Sequence, residues 1–285
     1  MLQPMRPAAL ALLCPLLLGA CAARTLPGVR GAIEPGAFLL ADGTPITAAQ
    51  LAAATEGARY VLVGESHDSG CDHAAQAAVV RALAGREPVV GLEMVSTERQ
   101  EVLDRFHRGA IGVDDLDGAL AWRERWGLPF DLYRPIFEAA AEARLQVVAL
   151  NVPREVARQV SQQGTAALPP EVPELVPPLP EQEPMLRESF RAHGNGSEEA
   201  FERFVRVQSL WDTAMARAAI AWSHDLGRPV VILAGAGHVT NGWGIGHRLR
   251  HLDPGAGVAE VMPWRGTAPI DPAQAALFFY CPAEG

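Results

Sequence analysis

Two segments of the chain share the form Gly-x-x-His: Gly64-Glu65-Ser66-His67 and Gly235-Ala236-Gly237-His238. In each, the glycine permits a sharp turn and the imidazole is thrown clear of it. Glu93 and Asn151 stand, like the two motifs, just where an apolar run ends. Imidazoles and carboxylates converging on one edge support three chemistries. With Glu65, His67, Glu93 and His238 as ligands they can hold a divalent transition metal, a carboxylate acting as base toward bound water, as hydrolytic sites do. Without metal they can work as a general acid/base pair. An imidazole, or a nearby tyrosine, can also ligate haem iron beside a flat apolar wall. Taken singly, each residue has a plainer reading: Glu93 as a helix cap, Asn151 as an Asx turn before Pro153, a histidine as a hydrogen-bonded core residue. The joint pattern points to a site.

Such residues need a scaffold that brings distant strand ends together. Residues 59–64, 88–93, 146–151 and 229–235 are continuous apolar runs of the kind buried parallel strands show. Residues 72–84, 96–106 and 132–143 read as intervening helices, so the fold class is α/β, with a mostly parallel central sheet flanked by helices. Ligands of such sheets bind outside the carboxyl ends of the strands. Residues 37–47 carry a hairpin signal at Asp42-Gly43, and Thr47 caps a short helix to about Thr55. A helical insertion, residues 152–227, separates the third and fourth core strands; its proline cluster from Pro169 to Pro184 is a loop, and helices resume over 183–193 and 197–225. The run 276–280 looks like a last strand.

His73 follows His67 by six residues, beside Asp72 and one turn before Gln76, which makes it either a ligand or a polar helix start. His107, His193, His224, His247 and His251 receive no role. The stretch 120–133, with Trp122, Trp126, Phe130, Tyr133, Arg123 and Arg125, suits a planar anionic macrocycle as well as it suits a core. No Cys-x-x-Cys-His occurs, so covalent c-type haem is excluded, and no glycine-rich phosphate loop follows the first strand. The net charge of -9 argues against nucleic acid. All 24 basic residues are arginine, so the choice of arginine over lysine carries little information about sites.

The chain opens with a single charge, Arg6, then an apolar run interrupted by Pro15 and shorter than the roughly 20 residues that span a bilayer. It reads as a signal peptide over 1–20. Leu18-Gly19-Ala20-Cys21 resembles a bacterial lipobox, which makes Cys21 the lipidated first residue of the mature protein, followed by a linker over 21–35 and a single domain over 36–285. The expected location is the cell envelope, facing the periplasm from a membrane anchor; Ala22-Ala23 after the cysteine resembles the outer-membrane sorting pattern. Cys71 and Cys281 are then the remaining thiols. An oxidising compartment permits their pairing, with two free thiols as the default.

The segments Val61–Asp68 with His73 and Gln76, Gly91-Leu92-Glu93-Met94 with Gln100, Ala149–Arg154, Gln208–Ala216 and Leu233–Val239 come in the order found in the ChaN-like haem-binding lipoproteins of the Tiki superfamily, which the chain resembles over residues 36 to 262. The resemblance implies an α/β fold, non-covalent haem, a role in haem or iron uptake or handling, and a homodimer formed about the bound haem. It implies tyrosine plus histidine as haem contacts, carried over to Tyr133, His67, His238 and His73. Tyr133 is preferred because Tyr60 and Tyr280 fall inside strands. Arg123, Arg125 or Arg134 are then partners for the propionates. Elsewhere in the superfamily the motif pair and its glutamate serve peptide or ester hydrolysis, so the resemblance also implies, as the alternative, a metal-dependent peptidase or esterase. Where many relatives have Gly-Asn-Gly-His, this chain has Gly235-Ala236-Gly237-His238.

Overall fold

A computed structural model describes residues 33–192 and 196–283. The signal segment, Cys21 and His193 lie outside the described residues. The described residues begin with the expected hairpin, β1 (Phe38–Leu40) and β2 (Pro45–Ile46), and α1 (Ala48–Ala54). Thr47 caps α1 by accepting from the Gln50 amide, while the Gln50 side chain returns a bond to the Thr47 amide. Then follow β3 (Tyr60–Glu65), α2 (Gly70–Leu83), β4 (Val89–Ser96), α3 (Gln100–His107), α4 (Val113–Leu120), α5 (Trp122–Arg125), α6 (Phe130–Glu142) and β5 (Val147–Asn151). Three helices, α7 (Arg154–Gln163), α8 (Glu183–Ala192) and α9 (Glu198–Leu226), precede β6 (Val230–Gly235). The chain closes with α10 (Ile245–Leu252), β7 (Val258–Trp264) and β8 (Leu277–Tyr280).

The strands form one sheet in the order β2-β1-β8-β7-β3-β6-β4-β5. From β8 to β5 every pairing is parallel; only β1 runs antiparallel to its neighbours. Side chains alternate across it. Val61 and Val63 join Val90, Leu92 and Val147 under α2 and α6, whereas Tyr60 and Leu62 join Val230, Ile232 and Val148 against Met215, Ala216 and Ala219 of α9 and Leu249 of α10. Both faces are covered, which is why these strands read as unbroken apolar runs. Each aliphatic side chain so buried contributes roughly 1.5–3 kcal/mol against leaving it in water.

Two expectations change. β7 is a core strand that hydropathy does not mark, because Glu260 and Pro263 interrupt it. Glu260 is half of an ion pair with Arg250 at 2.6 Å, and Pro263 lies beyond Val261, the last residue paired to β3, so no ladder bond to β3 needs its missing N–H. The thiols are paired rather than free. Cys71, in the first turn of α2, is bonded to Cys281, just past β8, with Cα atoms 5.8 Å apart. No helix of the described residues is long and apolar enough to cross a membrane.

Candidate functional site

The parallel order places the ends of β3, β6, β4 and β5 side by side, and each delivers its polar residue to one edge. At the end of β3 the loop to α2 is held rigidly. Ser69 caps α2, the Ser66 amide donates to Asp72, and Arg265 grips both carboxylate oxygens of Asp72 and donates to the Ser66 hydroxyl. His67 projects from this loop. Its Nδ1 lies 2.6 Å from Oε1 of Glu65, and Oε2 of the same carboxylate lies 2.6 Å from Nε2 of His73. Gln76, one turn on, donates to the Val63 carbonyl. The Tyr133 hydroxyl, 3.2 Å from Glu65 Oε1 and 3.0 Å from the His67 carbonyl, accepts from the indole N–H of Trp126. A buried carboxylate flanked by two imidazoles therefore underlies the first motif.

The second motif inverts that pattern. His238 is an imidazole flanked by two carboxylates, its Nδ1 2.6 Å from Asp212 and its Nε2 3.4 Å from Glu93. Glu93 also accepts from the Gly235 amide at 2.7 Å. Asp212 faces the guanidinium of Arg248 at 3.5 Å, and Arg248, wholly buried, donates to the Trp243 carbonyl. The motifs touch at Gly235: a Cβ there would stand 2.7 Å from Cε1 and 2.9 Å from Nε2 of His67, so the ring rests on bare backbone.

These contacts set the charges. Burial alone would push the Glu93 carboxyl up, but His238, His67 and the Gly235 amide hold it down at about 2. Burial would likewise lower His238, yet Glu93 and Asp212 raise it well above its ordinary value, so it is an imidazolium at neutral pH. Burial works against the charge on Glu65 too, and the hydrogen bond from His67 together with the close imidazole of His73 outweighs it and keeps the carboxyl below its usual range. His67 loses some basicity to burial and regains more from Glu65 and Glu93, ending above its ordinary value. Burial and the Glu65 charge push the Tyr133 phenol far up, so it stays neutral.

The edge opens into a cleft of about 640 Å³. Met94, Val95, Leu120 and three indoles, Trp122, Trp126 and Trp211, wall it; Glu65, His67, Glu93, Asn151 and His238 line it, with Arg99, Arg125 and Arg154. His73 and Tyr133 are fully buried and are absent from that lining, so they support Glu65 from beneath instead of facing a ligand. Of the arginines expected to meet an anion, Arg125 lines the cleft but is paired with Glu98, Arg123 is exposed away from it, and Arg134 is bound to Asp114 and Asp131. Asp212, Arg248 and Arg99 received no role from the sequence. Only Asp212 lies in a segment, Gln208–Ala216, that the family resemblance singles out. The proposed metal donors Glu65, His67, Glu93 and His238 do gather here, with those of Glu65, Glu93 and His238 engaged by neighbouring groups and Nε2 of His67 left without a protein partner among the described residues. Among the described residues no group of three or more histidine, cysteine or acidic side chains has a metal-holding arrangement.

The chain matches the family model described as haem-binding uptake, Tiki superfamily, ChaN, over residues 51–249. No curated protein matches it. Among solved structures it is similar to that of ChaN of Campylobacter jejuni, described with cofacial haem binding, at 19% identity over 85% of this chain and 95% of that one, TM-score 0.69. It is also similar to the type III effector HopBA1, at 14% identity over 81% and 91% of the two chains, TM-score 0.50. At these identities the likeness to solved structures is one of fold.

Proposed function

The chain belongs to the haem-binding uptake family ChaN of the Tiki superfamily, and from that premise we propose that it binds haem non-covalently in the cleft at the sheet edge, capturing or passing it on at the cell envelope. One observation carries the reading. Glu65 accepts from Nδ1 of His67 and so leaves Nε2, which has no protein partner among the described residues, as the ring nitrogen available to iron. A ligating histidine normally has its other nitrogen fixed by a carboxylate in this way. His238 is bound through both nitrogens, to Asp212 and Glu93, which makes His67 the iron ligand of choice. The indoles of Trp122, Trp126 and Trp211 supply flat apolar wall. When bound, haem contributes iron chemistry; the protein contributes the imidazole, its orientation and the exclusion of water.

The reading includes the address. A lipid at Cys21 anchors the domain to a membrane, facing the periplasm. Titrating purified apo-protein with haemin while following the Soret band tests the site. His67→Ala abolishes the bound spectrum, whereas His238→Ala and Tyr133→Phe retain it. A spectrum equal to free haemin beside inert protein refutes the reading. For the address, Cys21→Ser is released from membranes or blocked in processing, and fractionation unchanged from wild type would sink the anchor.

One observation favours a hydrolytic reading of the same cleft: Asp212, His238 and Glu93 form a carboxylate-oriented imidazolium beside a second carboxylate, the makings of a general acid/base pair. Peptidase or esterase turnover that disappears in His238→Ala would establish it. Turnover absent with and without added zinc, manganese or cobalt would dismiss it.

A further inference from the structure

Arg99, just before α3, lines the cleft, and its side chain makes no hydrogen bond or ion pair among the described residues although its Nε is buried. Trp122, in the same lining and 2% exposed, has its indole N–H buried and unpartnered as well. Buried donors without acceptors are costly and rare. Here two of them border one cavity, and both can only donate. The other arginines of the region are spoken for: Arg125 by Glu98, Arg134 by Asp114 and Asp131. Arg154, at the start of α7, makes only a 3.4 Å contact to the Glu124 carbonyl.

The sheet order separates these cations from the imidazoles. His67 and His238 follow β3 and β6, whereas Arg99 and Arg154 follow β4 and β5, so the two halves of the cleft lie about two strand spacings, roughly 10 Å, apart. We propose that Arg99, with Arg154 beside it and the Trp122 ring as apolar wall, forms a carboxylate subsite. The cleft then takes a flat apolar ligand whose anionic group sits about 10 Å from the atom that meets His67. A guanidinium matches a carboxylate through two parallel N–H bonds. Resting on the haem reading, the subsite receives a propionate.

The test compares haemin with haemin dimethyl ester, which keeps the iron and ring and blocks the carboxylates. Wild-type protein prefers haemin by roughly tenfold to a hundredfold, the worth of a charge-assisted hydrogen bond. Arg99→Gln loses that preference and leaves affinity for the ester within about twofold of wild type. Arg99→Lys, with the charge but not the fork, falls between. Equal binding of both ligands by wild type, a preference kept by Arg99→Gln, or equal weakening of both ligands overturns the proposal. If neither iron compound binds, the haem reading fails separately, and the aromatic anion anilinonaphthalene sulfonate becomes the probe. Fluorescence binding lost in Arg99→Gln sustains the subsite, and no binding, or binding unchanged in the variant, overturns it.

Discussion

Nδ1 of His67 stands 2.6 Å from Oε1 of Glu65, and this contact decides which ring nitrogen the cleft receives. Glu65 is itself fixed from below by His73, with the Tyr133 hydroxyl beside it, so the orientation of an exposed ring is set by wholly buried groups. Removing the charge of Glu65 while keeping its shape separates orientation from ligation. In Glu65→Gln, haemin affinity falls by roughly tenfold to a hundredfold, in line with losses of the carboxylate behind a ligating histidine. A Glu65→Gln variant that titrates like wild type would show that the carboxylate does not set the ring.

Gly235 tests the same ring from above. The Cβ of Gly235→Ala meets His67 at 2.7 Å, closer than atoms pack, and the ring must shift. The expected result is a loss of roughly 1–3 kcal/mol in urea unfolding, as for overpacked sites, together with weaker haemin binding although every ligand is intact. An unchanged midpoint and an unchanged Soret titration would contradict the close approach.

The two charged clusters make stability depend on pH in a defined window. His238 has its folded pKa raised above 6.5, so its contribution is complete below pH 6.5 and is lost as pH rises through the raised value. Glu93 has its folded pKa depressed from 4.5 to about 2, so its contribution is complete above pH 4.5 and is lost as pH falls toward 2. Unfolding free energy measured by urea titration therefore peaks between about pH 4.5 and 6.5. Asp212→Asn is less stable in that window and flatter on its alkaline side. Haemin binding runs the other way at the alkaline limb. His67 must be deprotonated to ligate, and its raised pKa makes affinity climb with pH above 6.5.

The paired cysteines close a loop spanning a separation of 210 residues. By the chain-entropy argument, Cys281→Ala costs about 5 kcal/mol. Alkylation with and without reductant, read by mass, reports the pair directly. Two freely alkylated thiols in the unreduced, unfolded protein would remove it.

Much of this was legible in the sequence where one physical signal dominates. Apolar runs locate β3, β4, β5 and β6 because both faces of those strands are covered, and their polar ends locate Glu65, His67, Glu93 and His238. What escaped depends on partners remote in sequence. Asp212 sits mid-helix and matters only because α9 lays it against His238. Arg99 is one of 24 arginines and is distinguished only by what it fails to touch. Sequence prefers Tyr133 because the other tyrosines lie in strands, but position along the chain does not reveal that α6 turns it beneath the loop and out of the cleft lining. The cysteines, likewise, can be paired only once α2 is known to begin beside the end of β8.

β6 lies between β3 and β4, pairing with the first along its whole length and with the second over four residues. The neighbours of Gly64 and Glu93 are thus made only when residues near 230 exist, late in synthesis. Until then β3 and β4 each carry a bare edge and cannot satisfy one another, a state that invites association with other chains. An N-terminal fragment ending before β6 lacks Gly235 and His238, and with them one wall of the cleft. The sheet itself is completed later still, when β7 pairs with β3 and β8 with β7, so the strand that brings the second imidazole to the edge is in place before the sheet is whole.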